Sequence, residues 1–382
     1  MRSDVLSGAH AAFGVRTLLP DSSTLVEMAG AFHDAARRAH LEKVLDALNA
    51  ADCALVLTAH HFAELLRHEN DAVGRSRLAF LAWLAQRPRV WWLASGPADE
   101  SLGFVPNVTS LEVRFASAGR SGDAELRQYV LDSLLRKGTA PVSQWADLDS
   151  LRPELLKRLE RDRELVSIVH ATGNSFSTET VGALRKMKGR SLDEVRKRAL
   201  DGLAGLEDDL VRRGDKKLAS HRRTATDFLL SVPGEDMPAA ASAMDSLILR
   251  AGLDPAQITD DMPFAAVAFL AEFKQKVGIA GAQCGLSAKD VGAVELEQVP
   301  TCQIQHHIRL VRVGSGARAS GSDLADSYLA SLSFYFDVVV VDKRTAELVR
   351  QVRGVNGLDR RIGVVERARS FQDLPRIAAA AS

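Results

Sequence analysis

"SDLADSYLASLSFYFDVVVVDKR", residues 322 to 344, runs from an acidic helix-like segment into four consecutive valines and then an aspartate. Valine is branched at Cβ and stiff at χ1, so Val338 to Val341 read as a strand. Four apolar residues without alternation call for cover on both faces, the situation of a strand in a parallel sheet flanked by helices. Asp342 ends the run, and its plain reading is the polar end of the strand; the helix "TAELVRQVRG" follows and should close at Gly354. Upstream, Asp323 and Asp326 are spaced i, i+3 and share one helix face. Three acids therefore cluster in sequence around the end of one buried strand.

The N-terminal part repeats this grammar. "GVRTLL" is a short β-type run closed by Pro20 and Asp21, and "STLVEMAGAFHDAARRAHLEKVLDALNA" carries helical periodicity. "CALVLT" reads as a second strand, "AHHFAELLRHE" as a helix containing Glu64, and "RPRVWWLAS" as a third strand. Strand and helix in alternation predict an α/β fold with a central parallel sheet flanked by helices. From about residue 120 to 295 the strand signal nearly vanishes. There "DAELRQYVLDSLLRKG" should stop at Gly138, "SLDEVRKRALDGL" opens with a capping box from Ser191 to Glu194, and "PFAAVAFLAEFKQKVG" should stop at Gly278. The expectation is a discontinuous α/β domain, residues 1–115 and 300–382, split by an all-helical insertion at 116–299. In the returning part "QIQHHIRLVRV" fits helix or strand, and "RIGVV" reads as the last strand.

With 382 residues the chain exceeds the roughly 250–300 at which single cores stop growing, in keeping with two units. Lys plus Arg equals Asp plus Glu at 49 each, so any contact with nucleic acid must rest on local cations and not on an overall basic field. The clusters "LRKMKGR" at 184–190 and "VRRGDKKLASHRR" at 211–223 read as solvated helix faces. Cys53, Cys284 and Cys302 are odd in number and lack ligand spacing, which suits a reducing compartment. No secretory leader and no apolar run of about 20 residues is visible, so a cytoplasmic protein without a membrane partner is expected.

In an open parallel sheet the carboxyl ends of the strands share one edge, and ligands bind in the crevice there. Asp21, Glu64, Asp323, Asp326 and Asp342 all sit where that edge should be. Converged carboxylates repel until a cation is present, and Mg²⁺ or Mn²⁺ prefers oxygen donors. Such a site suits hydrolysis of phosphodiesters by metal-activated water. Asp21, Glu64, Asp326 and Asp342 are the candidate catalytic acids, with Asp323 joining them as a metal ligand. Lys343, Arg344 and Ser22 are candidates to hold the substrate phosphate. Plainer roles compete: Asp21 and Asp323 suit helix N-caps, and one of Trp91 and Trp92 should pack in the core. His60, His61, His306 and His307 lack metal-ligand spacing and read as structural or surface residues.

The order of strand-Asp, a second strand followed by Glu64-Leu65, the acidic helix and "VVVVDKR" resembles the PIN-domain family of metal-dependent ribonucleases. In that likeness Asp21 matches the first acid, Glu64 the second, Asp326 the third with Asp323 beside it, and Asp342 the fourth. It covers roughly residues 13 to 95 and 300 to 372. What it implies is a central parallel sheet, Mg²⁺ or Mn²⁺ at the acids, and cleavage of single-stranded RNA. Many members are toxins of toxin-antitoxin pairs, so an antitoxin-like protein inhibitor and a homodimer are the partners to expect. One departure is "DSS" where the family has Asp-Thr-Asn: Ser22 keeps a hydroxyl and Ser23 loses the amide. That change motivates the alternative of a catalytically inactive PIN-like RNA-binding or regulatory module. A rival from another class is a dinucleotide-binding oxidoreductase built on "VRVGSGARASG", residues 311 to 321, whose Gly314, Gly316 and Ala319 fit the relaxed fingerprint if a strand precedes them.

Overall fold

The computed structural model describes residues 13–93, 107–137, 152–176, 179–186, 203–231, 242–314, 323–355 and 357–380. Six strands form one sheet: β1 Arg16–Leu19, β2 Cys53–Thr58, β3 Val90–Leu93, β4 Leu135–Lys137, β5 Val338–Val341 and β6 Val364–Arg367. Their order is β4-β3-β2-β1-β5-β6. All neighbours are parallel except β3 and β4. The chain lays β2 and β3 to one side of β1, and returns much later to lay β5 and β6 on the other. The order thus reverses between β1 and β5, which makes a topological switch point at the carboxyl ends of those two strands.

Helices α1 Ser22–Phe32, α2 Ala35–Ala50, α3 Ala59–Leu66 and α4 Asp71–Leu84 follow the first two strands, and α5 Asn107–Ser117 and α6 Asp123–Leu134 follow the third. Between β4 and β5 come α7 Arg152–Phe176, α8 Val181–Arg185, α9 Leu203–Arg213, α10 His221–Ser231, α11 Ala243–Arg250, α12 Phe264–Gln283, α13 Ala288–Gly292, α14 Pro300–Gly314 and α15 Asp323–Ser331. α16 Lys343–Val352 and α17 Leu374–Ala380 complete the described part.

The sheet is covered on both faces. Leu18, Leu55, Val338 and Val340 join a core with Met28, Leu41 and Phe80. Leu19, Val56, Val339 and Val341 join a second core with Val130 of α6, Ile304 of α14 and Val349 of α16. This is why β5 shows no alternation, and each buried valine contributes about 1.5–3 kcal/mol. Trp91 and Trp92 point to opposite cores, and both are buried. Trp92 stacks on Phe62 at 4.8 Å between centroids, while Trp91 meets Phe13 edge-on at 5.9 Å. At the amino end of the switch, Asp337 Oδ2 accepts from both the amide and the hydroxyl of Thr17, each at 2.8 Å, and the Asp337 amide donates back to Thr17 Oγ1. That reciprocal clamp fixes the pairing of Leu18 with Val338 and of Leu19 with Val339.

Several local expectations change. The long helix after Asp21 breaks at Asp34, whose side chain caps α2 by accepting from the Ala36 and Arg37 amides. α12 runs past Gly278 to Gln283. There Gly281 is the glycine with a packing reason, since a Cβ on it would collide with Val291 of α13. Leu135 to Lys137 leave the helical pattern and pair antiparallel with Trp91 to Leu93. "QIQHHIRLVRV" resolves as helix within α14, so the strand that a dinucleotide loop would require before Gly314 is a helix instead. Residues 315–322, the Ser191–Glu194 box and Gly138 lie outside the described residues.

Candidate functional site

Asp21 and Asp342 occupy equivalent places on either side of the switch point. Leu19 pairs with Val339, and each strand ends within three residues in an aspartate that caps the following helix. Asp21 is 7% exposed; its Oδ1 accepts from the Thr24 amide at 2.8 Å and its Oδ2 from the Ser23 hydroxyl at 2.7 Å. Asp342 is exposed, and its Oδ1 accepts from the Thr345 amide at 2.6 Å. Capping explains their local positions, because an N-terminal turn leaves amides without acceptors. The two caps thus stand at the carboxyl ends of adjacent parallel strands. Among the described residues, the Ser22 and Thr345 hydroxyl oxygens next to these caps are buried without hydrogen-bond partners.

His61 joins two of the strand ends. Its Nδ1 accepts from the Thr58 amide at 3.0 Å, so the proton sits on Nε2, which donates to the Pro20 carbonyl at 2.8 Å. The ring is fully buried, and burial pushes its pKa down to about 4 against the lift of the Pro20 hydrogen bond. It is a structural histidine that ties the end of β2 to the residue before Asp21. Glu64, on the same helix α3, is drawn to Arg67 at 2.6 Å, and Arg67 in turn lies 3.6 Å from Asp162 of α7. The neighbouring His60 ring lies 4.4 Å from that of Tyr328 on α15, which brings the Glu64 helix against the Asp326 helix.

The third group of acids is built around an arginine. Arg312 of α14 is 4% exposed and Asp323, the first residue of α15, 3%. Arg312 Nη1 donates to the Asp323 carbonyl at 2.8 Å and to Ser327 Oγ at 3.2 Å, and lies 3.5 Å from Asp323 Oδ1. Arg344 reaches the same Oδ1 from the other side at 3.4 Å. Burial depresses the pKa of Arg312, Asp323 raises it, Arg344 lowers it, and Asp326 and Asp342 raise it. Asp323, Asp326 and Asp342 therefore share one electrostatic neighbourhood with Arg312 inside it. Arg344, expected to hold phosphate, is engaged with Asp323, while Lys343 is exposed.

The fit to a divalent ion differs between the groups. Asp21 and Asp342 offer hard oxygens from fixed caps, and Mg²⁺ is commonly held by one or two carboxylates with waters and substrate phosphate oxygens. Both Asp21 oxygens already accept hydrogen bonds within the cap, and Asp342 Oδ1 accepts from the Thr345 amide. Asp323 and Glu64 do not fit as arranged, since arginines already neutralise them. Among the described residues no three His, Cys, Asp or Glu side chains are gathered closely enough to hold a metal ion. Sequence reasoning passed over Arg312 and Arg67. The signal for Arg312 was present: Ile304, Ile308 and Arg312 are spaced i, i+4, i+8, so a cation stands on the buried stripe of a helix and must meet an anion there. No family model, curated protein or solved structure matches this chain.

Proposed function

We propose that the chain is a PIN-like protein that hydrolyses phosphodiester bonds in single-stranded RNA at the carboxyl edge of its sheet, with Mg²⁺ or Mn²⁺. The observation that supports this most is the pair Asp21 and Asp342, each following one of the two parallel strands that flank the switch point. These two residues would hold the ion, with Asp326 nearby on α15. When bound, the ion supplies an activated water and offsets negative charge on the phosphate. The exposed Lys343 meets a phosphate arriving at the crevice, and the caps keep both carboxylates from turning away as it does so. In this reading residues 116–299 form the insertion between the two halves of the nuclease domain, and a toxin-like role with a protein inhibitor is the setting in which to look for partners.

A second reading is favoured by the arginines: with Glu64 held by Arg67, and Asp323 by Arg312 and Arg344, the protein binds RNA as a module without cleaving it. One experiment separates the two. Mixed single-stranded RNA is incubated with and without Mn²⁺, beside Asp21→Asn and Asp342→Asn. Asparagine caps helices about as well as aspartate, so both variants keep their melting temperature and lose only the charge. Cleavage that needs Mn²⁺ and disappears in both variants supports the hydrolase; a fully active Asp342→Asn protein rules it out. RNA binding by gel shift without cleavage selects the module.

A further inference from the structure

Helices α7, α12, α14 and α15 line a cavity of about 470 Å³, within the roughly 300–1,000 Å³ of ordinary small-molecule pockets. Its lining is of two kinds. Leu165 of α7, Phe269, Phe273 and Ile279 of α12, and Leu324 of α15 supply apolar surface. Leu165, Ile279 and Leu324 are 53%, 53% and 45% exposed, three of the six large apolar side chains left so open among the described residues. Half of that set meets at one cavity, which leaves apolar area there for an occupant to cover.

The second kind is charged. Glu272 of α12 pairs with Lys276 at 2.9 Å and with Arg309 of α14. Burial pushes the Glu272 pKa up, but Lys276 and Arg309 outweigh it and hold the carboxyl below its ordinary value, so it stays ionised. One carboxylate thus answers two cations, and one positive charge is left over. The other charges of the lining, Arg312 and Asp323, offset each other. His306 of α14 adds none, because burial, with His307 and Arg309 beside it, pushes its pKa down to about 3. Its ring stacks on Phe269, and its Nδ1 is buried without a hydrogen-bond partner. A polar atom of that kind in a cavity lining calls for a partner from a ligand.

We propose that this cavity binds a small amphipathic monoanion, an acyl carboxylate, whose chain lies against Phe269, Phe273, Ile279 and Leu324 and whose head meets Lys276 and Arg309. The charge count selects the head. A carboxylate carries the one negative charge that the lining lacks, whereas a phosphate monoester at neutral pH carries about 1.5 to 2. The inference goes beyond the RNA reading and does not depend on it.

Isothermal titration of the full chain with decanoate, decanol and acetate tests this by binding alone. Decanoate should bind at one site per chain, decanol more weakly, and acetate not measurably. Arg309→Gln leaves Lys276 balanced against Glu272, so decanoate should weaken about tenfold while decanol is unchanged. Glu272→Gln removes the competing carboxylate and should tighten decanoate, the opposite of what damage to the fold would do. Ile279→Ser should weaken decanoate and decanol alike. Ile279 is exposed and the Glu272–Arg309 pair is partly so, and such groups contribute little to folding, so the three variants should keep the parent's melting temperature. Absence of saturable decanoate binding overturns the proposal. So does decanol binding as tightly as decanoate, a parent-like affinity in Arg309→Gln, or a weakened one in Glu272→Gln.

Discussion

Glu112 and His61 are buried ionisable residues with opposite consequences for stability. Glu112 on α5 is fully buried and accepts from the Thr301 amide at 3.1 Å, the Tyr335 hydroxyl at 2.7 Å and the Thr301 hydroxyl. Burial raises its pKa from the ordinary 4.5 to about 7, although those hydrogen bonds and Arg361 pull it down. The folded protein thus keeps a proton that the unfolded chain releases. Its contribution is fully present below pH 4.5 and is lost as pH rises to about 7, by about 3 kcal/mol at most. For His61 the folded value of about 4 lies below the ordinary 6.5, so its contribution is present above pH 6.5 and lost as pH falls through 4. Melting temperature measured from pH 4.5 to 7 should therefore respond to Glu112→Gln: the variant loses the decline with rising pH that Glu112 imposes. An unchanged profile would show that Glu112 is not its source. None of this was legible in the sequence, where Glu112 sits in an unremarkable "LEVRF" and only the fold brings Thr301 and Tyr335 to it.

Secondary structure was legible where a single force decided it. β2 and β5 are runs of apolar and β-branched residues, and their bounds follow from burial on two faces. Asp21 was legible as a cap for the same local reason, whereas Asp342 read only as the polar end of its strand and caps the next helix in the structure. α14 was ambiguous because "QIQHHIRLVRV" serves period 2 and period 3.6 alike, and packing of Ile304 and Ile308 decided it. β4 was illegible, since "LRK" becomes a strand only because β3 offers it an open edge. β6 depends on a close approach that the sequence signals by one residue. The Gly363 amide donates to the Ser333 carbonyl at 2.9 Å, and a Cβ on Gly363 would lie 2.5 Å from that oxygen and 3.0 Å from the Phe336 carbonyl. Both neighbours are backbone and cannot swing aside. Gly363→Ala should therefore push β6 off β5 and cost about 1–3 kcal/mol, read by urea denaturation. A midpoint equal to the parent's would mean that the turn before β6 can yield.

Over the whole molecule the formal charge is balanced, so on the proposed reading any affinity for RNA has to come from local cations such as Lys343. Each phosphate neutralised on a single strand contributes a slope of about 0.7 to the fall of log affinity with log salt. Lys343→Ala should reduce the measured slope by about that amount while leaving the melting temperature unchanged; an unaltered slope would place the RNA elsewhere. The long helix α7 reaches this edge as well. Its Arg152 donates to the Leu66 carbonyl at 2.9 Å and also to the His68 carbonyl and the Asp71 carboxylate, pinning the corner between α3 and α4, while Asp162 reaches Arg67. Helices from the middle of the sequence are thereby tied to the rim that carries the acids.

The outermost strands carry a consequence for assembly. β4 is three residues long with Arg136 and Lys137 in it, and β6 ends in the exposed Glu366 and Arg367. Short, charged borders give a foreign backbone little ladder to zip onto. Ladder growth from one copy of this protein to another across either border of the sheet is thereby disfavoured.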